Sequence, residues 1–243
     1  MDKTKIMFKS FFGKNKEIRF SCPEEFWDIV PKPYSAKKYM PDWFKALPMR
    51  IDNIEKLNNG TIKRCVPFVD AMSIGYIIPL ATDVYVKSNE DASGIEWDAK
   101  IEIIRQHKKE QITTDKVPNP KANMPPLKFI SHWVIQTPPG WSTLFIPPIN
   151  REDSRFQIIG GLVDTDNYFN QMYFPFFFTG KNYEGILKCG TPIAQAIPIK
   201  RSELLSKARV EKFTEEDYYK INVTKMRIGS HESYYRDEVA GKK

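Results

Sequence analysis

The sequence predicts a mainly β fold, and three observations support that prediction. Residues 137–198 contain several short apolar runs, each bounded by clusters of Gly, Pro, Asn or Asp. Residues 95–103 alternate between apolar and charged side chains, as in a strand with one solvated face. The chain has 18 prolines against 12 glycines, which indicates many strand ends and stiff loops. We therefore expect an all-β core.

Composition indicates a globular protein without a membrane span or a secretory signal. The chain has 243 residues, of which 41% are hydrophobic and 13% aromatic, enough for a sizeable core. No apolar run reaches the length of a bilayer, and the first residues lack the apolar segment of a signal peptide. We therefore expect a soluble protein that is made in a cytoplasm.

Charge and metal-ligating residues indicate neither a nucleic-acid surface nor a metal centre. The net charge is +7, but the basic residues are dispersed in doublets, which is typical of solvated surfaces, so nucleic-acid binding is not expected. The three cysteines form no C-x-x-C pair, and the three histidines form no paired spacing. Neither a disulfide framework nor a metal site is predicted, and no cofactor is implied by these residues.

The chain divides into three predicted segments. Residues 1–64 form an N-terminal extension with a hairpin and a short helix, and residues 65–200 form the β core, with an insertion at about residues 88–128. Residues 65–87 suggest two strands joined around Gly75. Residues 201–243 form a helical arm, with helices predicted at 203–212 and 215–226 and Thr214 as the second helix's N-cap. This arm is a candidate contact for protein partners.

The most apolar run, residues 172–178, needs a separate explanation because it does not alternate. A strand that is apolar on both sides either lies at the centre of packed layers or has one face covered by another subunit. The sequence leaves both explanations open.

Three motifs in residues 137–198 resemble those of the trimeric dUTPase and dCTP deaminase family, in the same order. They are a proline–glycine–aromatic turn at 139–141, a glycine–apolar–apolar–Asp-x-Asp motif at 161–166, and a Gly-x-x-Ile-Ala-Gln motif at 190–195. Residues 70–76 resemble the family's opening motif, and the chain also looks like a phage-encoded family that carries the same landmarks. The resemblance implies a dUTPase-like β-clip, a distorted β-barrel core, with the hairpin, helix and arm as additions. It also implies a homo-oligomer, with a trimer favoured, in the host cytoplasm or the virion.

The resemblance also assigns candidate site residues. Asp164 matches the water-activating Asp, and in an enzyme Asp166 would assist it through a metal or the backbone. Gln195 matches a position of the family's nucleotide site, and Tyr168, which would pack against the sugar, is displaced by one residue from the family's position. The family's Asp after Gly-Tyr is replaced by Ile77, its Arg-Ser-Gly is absent near Pro148, and its Gly-rich closing motif has no counterpart. Arg151 and Arg155 are candidates to replace the missing phosphate clamp, because guanidinium groups bind phosphate through two hydrogen bonds.

Two main functions follow from this pattern. The first is a non-catalytic binding or assembly protein on a dUTPase-like scaffold, such as a virion component or an accessory factor, because the positioning groups of the site are missing. The alternative is a divergent nucleoside triphosphate pyrophosphatase or deaminase-like enzyme that uses Asp164, with Mg²⁺ as its cofactor. A third interpretation, a sugar- or small-molecule-binding module, would use Trp97, Trp133 and Trp141, whose spacing does not place them on one face.

Overall fold

The computed structural model describes residues 17–51, 59–111, 124–151, 153–231 and 233–241. The chain divides into two compact units. Residues 1–39 and 73–203 form the first, which we call the β unit, and residues 40–72 and 204–243 form the second, the helical unit. Most of the predicted N-terminal hairpin falls on residues 1–16, outside the described residues.

The β unit consists mainly of antiparallel strands, which confirms the predicted fold class. The described strands are β1 (Arg19–Ser21), β2 (Tyr34–Ser35), β3 (Tyr76–Pro79), β4 (Val84–Ser88), β5 (Ile95–Ala99), β6 (Ile104–Gln106), β7 (Pro126–Gln136), β8 (Trp141–Ile146), β9 (Phe156–Ile158), β10 (Gly161–Val163), β11 (Gln171–Phe178), β12 (Glu184–Leu187) and β13 (Pro192–Lys200). A short helix, α1 (Glu24–Trp27), follows β1.

These strands form three sheets around one core. The first has the order β1-β7-β11-β9, with β6 also paired to β7; the second is β10-β8-β13-β3-β2, and the third is β12-β4-β5. Buried side chains from all three sheets belong to one apolar cluster, for example Phe129 of β7, Phe145 of β8 and Val86 of β4. The cluster therefore joins the sheets into a single unit.

The apolar run at residues 172–178 belongs to the interior strand β11, between β7 and β9. Met172, Phe174 and Phe176 face the core, and the Phe176 ring stacks on Phe129 with ring centroids 3.8 Å apart. Pro175, between two of them, is exposed. The first explanation offered by the sequence, a central position between packed layers, therefore accounts for the run.

The expected first strand of residues 65–87 is instead a helix, α3 (Val66–Ser73), and β3 and β4 follow it. An apolar run of this length does not distinguish a strand from a partly buried helix. Pro67 is compatible with the helix because the first turn leaves its N–H groups without helical partners. Gly75, which has φ +73°, then lets the chain enter β3.

The helical unit contains α2 (Asp42–Ala46), most of α3, α4 (Glu215–Ser230) and a π-helical turn (Tyr235–Val239). Trp43, Phe44 and Phe68 form an aromatic cluster, with ring centroids 5.6–6.4 Å apart. Within the described residues, no helix is long and apolar enough to cross a membrane.

The two helices predicted for the C-terminal arm had different outcomes. The prediction of α4 is confirmed, and Thr214 and Asp217 form a reciprocal capping box at its start. The prediction at residues 203–212 is wrong: residues 204–214 have no regular secondary structure and are exposed. Favourable propensity alone does not stabilise so short a helix, because nucleation is costly and no apolar face is buried.

Candidate functional site

Strand β8 brings the two candidate carboxylates and a distant arginine together. Val163 of β10 pairs with Thr143 of β8, so the chain leaving β10 runs beside the first residues of β8. On the other side of β8, Lys200 of β13 pairs with Trp141. The segment after β10 and the segment after β13 therefore reach the same end of β8.

Asp166 forms an ion pair with Arg201 at this end. Arg201 Nη2 lies 2.5 Å from Asp166 Oδ2, Arg201 Nη1 lies 3.0 Å from Oδ1, and the Gly140 N–H donates to Oδ2 at 2.8 Å. Only 4% of the Asp166 side chain is exposed. Burial acts to raise the pKa of Asp166, but the hydrogen bonds from Arg201 and Gly140 outweigh it, and the net pKa is lowered.

Asp164 lies in the same cluster but is more accessible. Its side chain is 63% exposed, and Oδ1 accepts hydrogen bonds from Ser142 Oγ at 2.6 Å and Arg201 Nη1 at 3.3 Å. Its main-chain carbonyl accepts from the N–H groups of Asn167 and Tyr168, which closes a turn. We call Asp164, Asp166, Ser142, Gly140 and Arg201 the carboxylate cluster.

The turn that carries the carboxylates is anchored by buried hydroxyl groups. Thr165 Oγ1 lies 2.7 Å from Thr137 Oγ1 and 2.8 Å from Thr143 Oγ1, and all three side chains are buried. Because Thr165 stands between the two aspartates, these bonds fix the backbone on which both carboxylates sit.

The carboxylate cluster does not match a Mg²⁺ site. Arg201 bonds to both carboxylates, so a guanidinium already supplies positive charge where a cation would bind. Across the described ranges, no group of three or more His, Cys, Asp or Glu side chains could hold a metal ion. The aspartates have the contacts of a structural ion-pair network.

The two candidate phosphate-binding arginines contact other groups of the β unit. Arg155 makes a two-pronged contact with Asp153, at 2.8 Å and 2.5 Å, and donates to the Tyr183 hydroxyl at 3.1 Å. The hydrogen bonds that Arg155 donates to Asp153 raise the pKa of Arg155 despite partial burial. Arg151 Nη1 donates to the main-chain carbonyl of Tyr39, and burial lowers the pKa of Arg151.

Gln195 and Tyr168 have separate surroundings. Gln195 is fully buried; its Oε1 accepts from the Ile149 N–H at 2.9 Å and its Nε2 donates to the Ile74 carbonyl at 2.7 Å. It therefore links the end of β8 to the segment before β3. Tyr168 is exposed, and its hydroxyl accepts a hydrogen bond from Asn170 at 3.2 Å.

The structure thus brings Asp164 and Asp166 together through Arg201, a residue that the sequence analysis did not select. Arg201 and Ser142 belong to no motif, and only the strand register places them beside the carboxylates. A cavity of about 280 Å³ in the β unit borders Gly75, Tyr76 and Trp141, and none of the six predicted site residues lines it.

Comparison with known proteins gives a structural likeness without a sequence match. No protein-family model matches, and no curated protein matches. Among solved structures, a variant of the dUTPase of Staphylococcus bacteriophage 80alpha with dUpNHpp is 9% identical, with a TM-score of 0.39, covering 82% of this chain and 100% of that chain. A variant dUTPase from phage phi11 of S. aureus is 9% identical, with a TM-score of 0.37 and coverage of 82% and 99%. The native EIAV dUTPase is 13% identical, with a TM-score of 0.33 and coverage of 58% and 88%. All three of these proteins are dUTPases.

Proposed function

We propose that this chain is a non-catalytic binding or assembly protein on a dUTPase-like scaffold, acting in a host cytoplasm or a virion. The observation that carries the proposal is that Arg201 donates hydrogen bonds to both aspartates of the carboxylate cluster. A buried carboxylate that bonds to a guanidinium and a backbone N–H is held in one place and neutralised. Asp166, which has these contacts, is therefore suited to stabilising the fold and poorly suited to assisting Asp164 in activating water.

The contacts of the other candidates support the same function. Arg155 bonds to a carboxylate, Arg151 to main-chain carbonyls, and Gln195 to two backbone groups. Phosphoryl transfer depends on cations placed around the phosphate chain. An arginine that already bonds to Asp153 would have to break that pair before it could bind a phosphate.

The alternative is a divergent nucleotide hydrolase, and one observation favours it. Asp164 is 63% exposed and is held by Ser142, so its carboxylate remains accessible to a ligand. In that case Asp164 would orient the attacking water, and Mg²⁺ would have to be carried in by the nucleotide phosphates. Tyr168 would then need a rearranged loop to reach the substrate, and Gln195 would have to leave its buried position in β13.

Binding of nucleotides separates the two functions. The purified full-length protein is heated with millimolar dUTP, dCTP, dATP, dGTP or dTTP in Mg²⁺, and its melting temperature is compared with that of the protein in Mg²⁺ alone. A ligand at a hundred times its dissociation constant stabilises a protein by about 2.7 kcal/mol, a shift of several degrees. We expect no shift with any nucleotide. A reproducible shift that Asp164→Asn removes would contradict the proposal.

A further inference from the structure

Helix α4 exposes apolar side chains along its whole length. None of its residues is buried, and the exposed fractions of Tyr219 and Met226 are 70% and 69%. Tyr219, Val223 and Met226 are spaced i, i+4 and i+7, so they lie on one face within about 60° of each other. We call this face the Tyr219 stripe.

A helix of this kind needs a partner for its stability. At 16 residues, α4 is close to the length at which isolated helices are marginal in water. Phe213 packs against Tyr218, on a different face, with ring centroids 5.4 Å apart. The capping box fixes where α4 begins, but it buries no apolar area.

The charges of α4 identify a suitable partner. Its first turn carries Glu215, Glu216 and Asp217, and its last turn carries Arg227. Glu216 and Arg227 lie on the same flank of the Tyr219 stripe, near opposite ends of the helix. We propose that the Tyr219 stripe is the docking surface for α4 of a second copy of this chain, with the two helices antiparallel.

The antiparallel arrangement is favoured over the parallel one by electrostatics. Antiparallel pairing places Glu216 of each copy near Arg227 of the other, and the two helix dipoles oppose each other. Parallel pairing would bring the acidic turns together and the basic turns together. Within each helix Glu216 also bonds to Lys220 at 2.7 Å, but both side chains are exposed, so that pair is weak and does not prevent contact with Arg227 of the second copy.

The size of the surface predicts weak, concentration-dependent association. A 16-residue helix is about 24 Å long, and two such helices bury less than the roughly 1,200 Å² of a standard interface. Leu205 and Val210, which precede α4, are 97% and 96% exposed and can add apolar area. The contact is two-fold symmetric, so it joins copies in pairs: it gives a dimer from monomers and a hexamer from two trimers.

Sedimentation velocity on the full chain across a micromolar concentration series tests the apolar contact. Met226→Asp places a charge in the stripe and should raise the dissociation constant of the paired species at least tenfold. Thr224→Asp, on the opposite face, is the matched control and should change it less than threefold. Helix content is checked by circular dichroism at 222 nm. A monomer at all concentrations, or an assembly that both variants leave unchanged, would overturn the proposal.

A charge exchange tests the orientation. Glu216→Lys and Arg227→Glu each place like charges opposite one another in an antiparallel pair, so each variant alone should associate more weakly. Mixing the two variants restores both opposite-charge contacts, and the mixed pair should form with near-original affinity. Weakening without recovery on mixing would rule out the antiparallel arrangement. In a parallel pair each of these residues faces its own copy, so either variant alone would keep like charges opposed, as in the wild type, and should associate no more weakly than the wild type.

This inference deepens the proposed function by naming a second copy as the partner in assembly. The proposed function and the pairing through α4 can fail separately, because the first is tested by nucleotide binding and the second by self-association of the α4 variants. A protein that binds nucleotide could still pair through α4, and one that binds none could remain a monomer.

Discussion

The replacement Asp166→Asn tests whether the carboxylate cluster serves the fold. Asn keeps the size of Asp but loses the charge, and its amide nitrogen would face the guanidinium of Arg201 or the N–H of Gly140. A hydrogen bond to a charged group contributes about 1.5–3 kcal/mol. Arg201 is about one-third exposed, and solvent screens part of the interaction, so we expect a loss of about 2 kcal/mol.

The assay is thermal unfolding of wild type and variant, followed by circular dichroism. A loss of about 2 kcal/mol corresponds to a melting temperature lower by about 4–8 °C. Because folding lowers the pKa of Asp166 from its ordinary value of 3.8, its stabilisation is fully present above that pH and is lost as the pH falls through the folded-state pKa. The difference between the two proteins should therefore shrink on acidification below pH 4.

Asp164→Asn is the matched control. It changes an Asp two residues away that shares Arg201 but is mostly exposed, and we expect a melting temperature within about 2 °C of wild type. Equal losses in both variants, or a loss from Asp166→Asn that does not depend on pH, would refute the assignment of Asp166 as the structural carboxylate.

Three further predictions concern Gln195, His132 and Gly75 of the β unit. Gln195→Leu leaves two buried backbone groups without partners and should cost about 2–4 kcal/mol in chemical denaturation. Gln195→Glu should also destabilise the protein, because it buries a carboxyl group with one oxygen facing the Ile74 carbonyl oxygen. Burial lowers the pKa of His132 from 6.5, so the contribution of His132 to the free energy of unfolding is present above pH 6.5 and is lost as the pH falls through the folded-state pKa. The replacement His132→Asn should therefore flatten the dependence of stability on pH between pH 5 and 7, and Asn tolerates the φ of +62° at this position. Gly75→Ala places a Cβ 2.2 Å from the Ala196 carbonyl oxygen and should abolish soluble expression. Gly140→Ala is its control: the residue has φ +85°, its added Cβ would meet no atom within 4 Å, and the replacement should lower the free energy of unfolding by about 1 kcal/mol. Equal effects of the two glycine replacements, or an unchanged pH profile in the His132 variant, would contradict these assignments.

The β core was predictable because its strands are short and marked by turn residues. The Gly and Pro clusters locate the ends of β8, β10 and β13, and the alternation at residues 95–99 matches the half-exposed strand β5. The N-cap Thr214 predicted the start of α4, since a capping box is a local signal.

What the sequence did not predict depends on non-local contacts. Residues 66–73 and 203–212 were misassigned because propensity and apolar content do not reveal which face is buried. The motif identified Asp164 and Asp166, but their roles depend on Arg201, which approaches through the register of β13 on β8. The Asp166–Arg201 ion pair joins residues 35 positions apart, and no spacing rule within the sequence predicts it.

Pyrophosphate release under single-turnover conditions tests the central claim most directly. The full-length protein, in excess over each deoxynucleoside triphosphate and with Mg²⁺, is compared with Asp164→Asn over several hours. The structural assignment of the carboxylate cluster predicts no release above the protein-free background for either protein. Release by the wild type that Asp164→Asn abolishes would show that Asp164 activates water and that the chain is a nucleotide hydrolase.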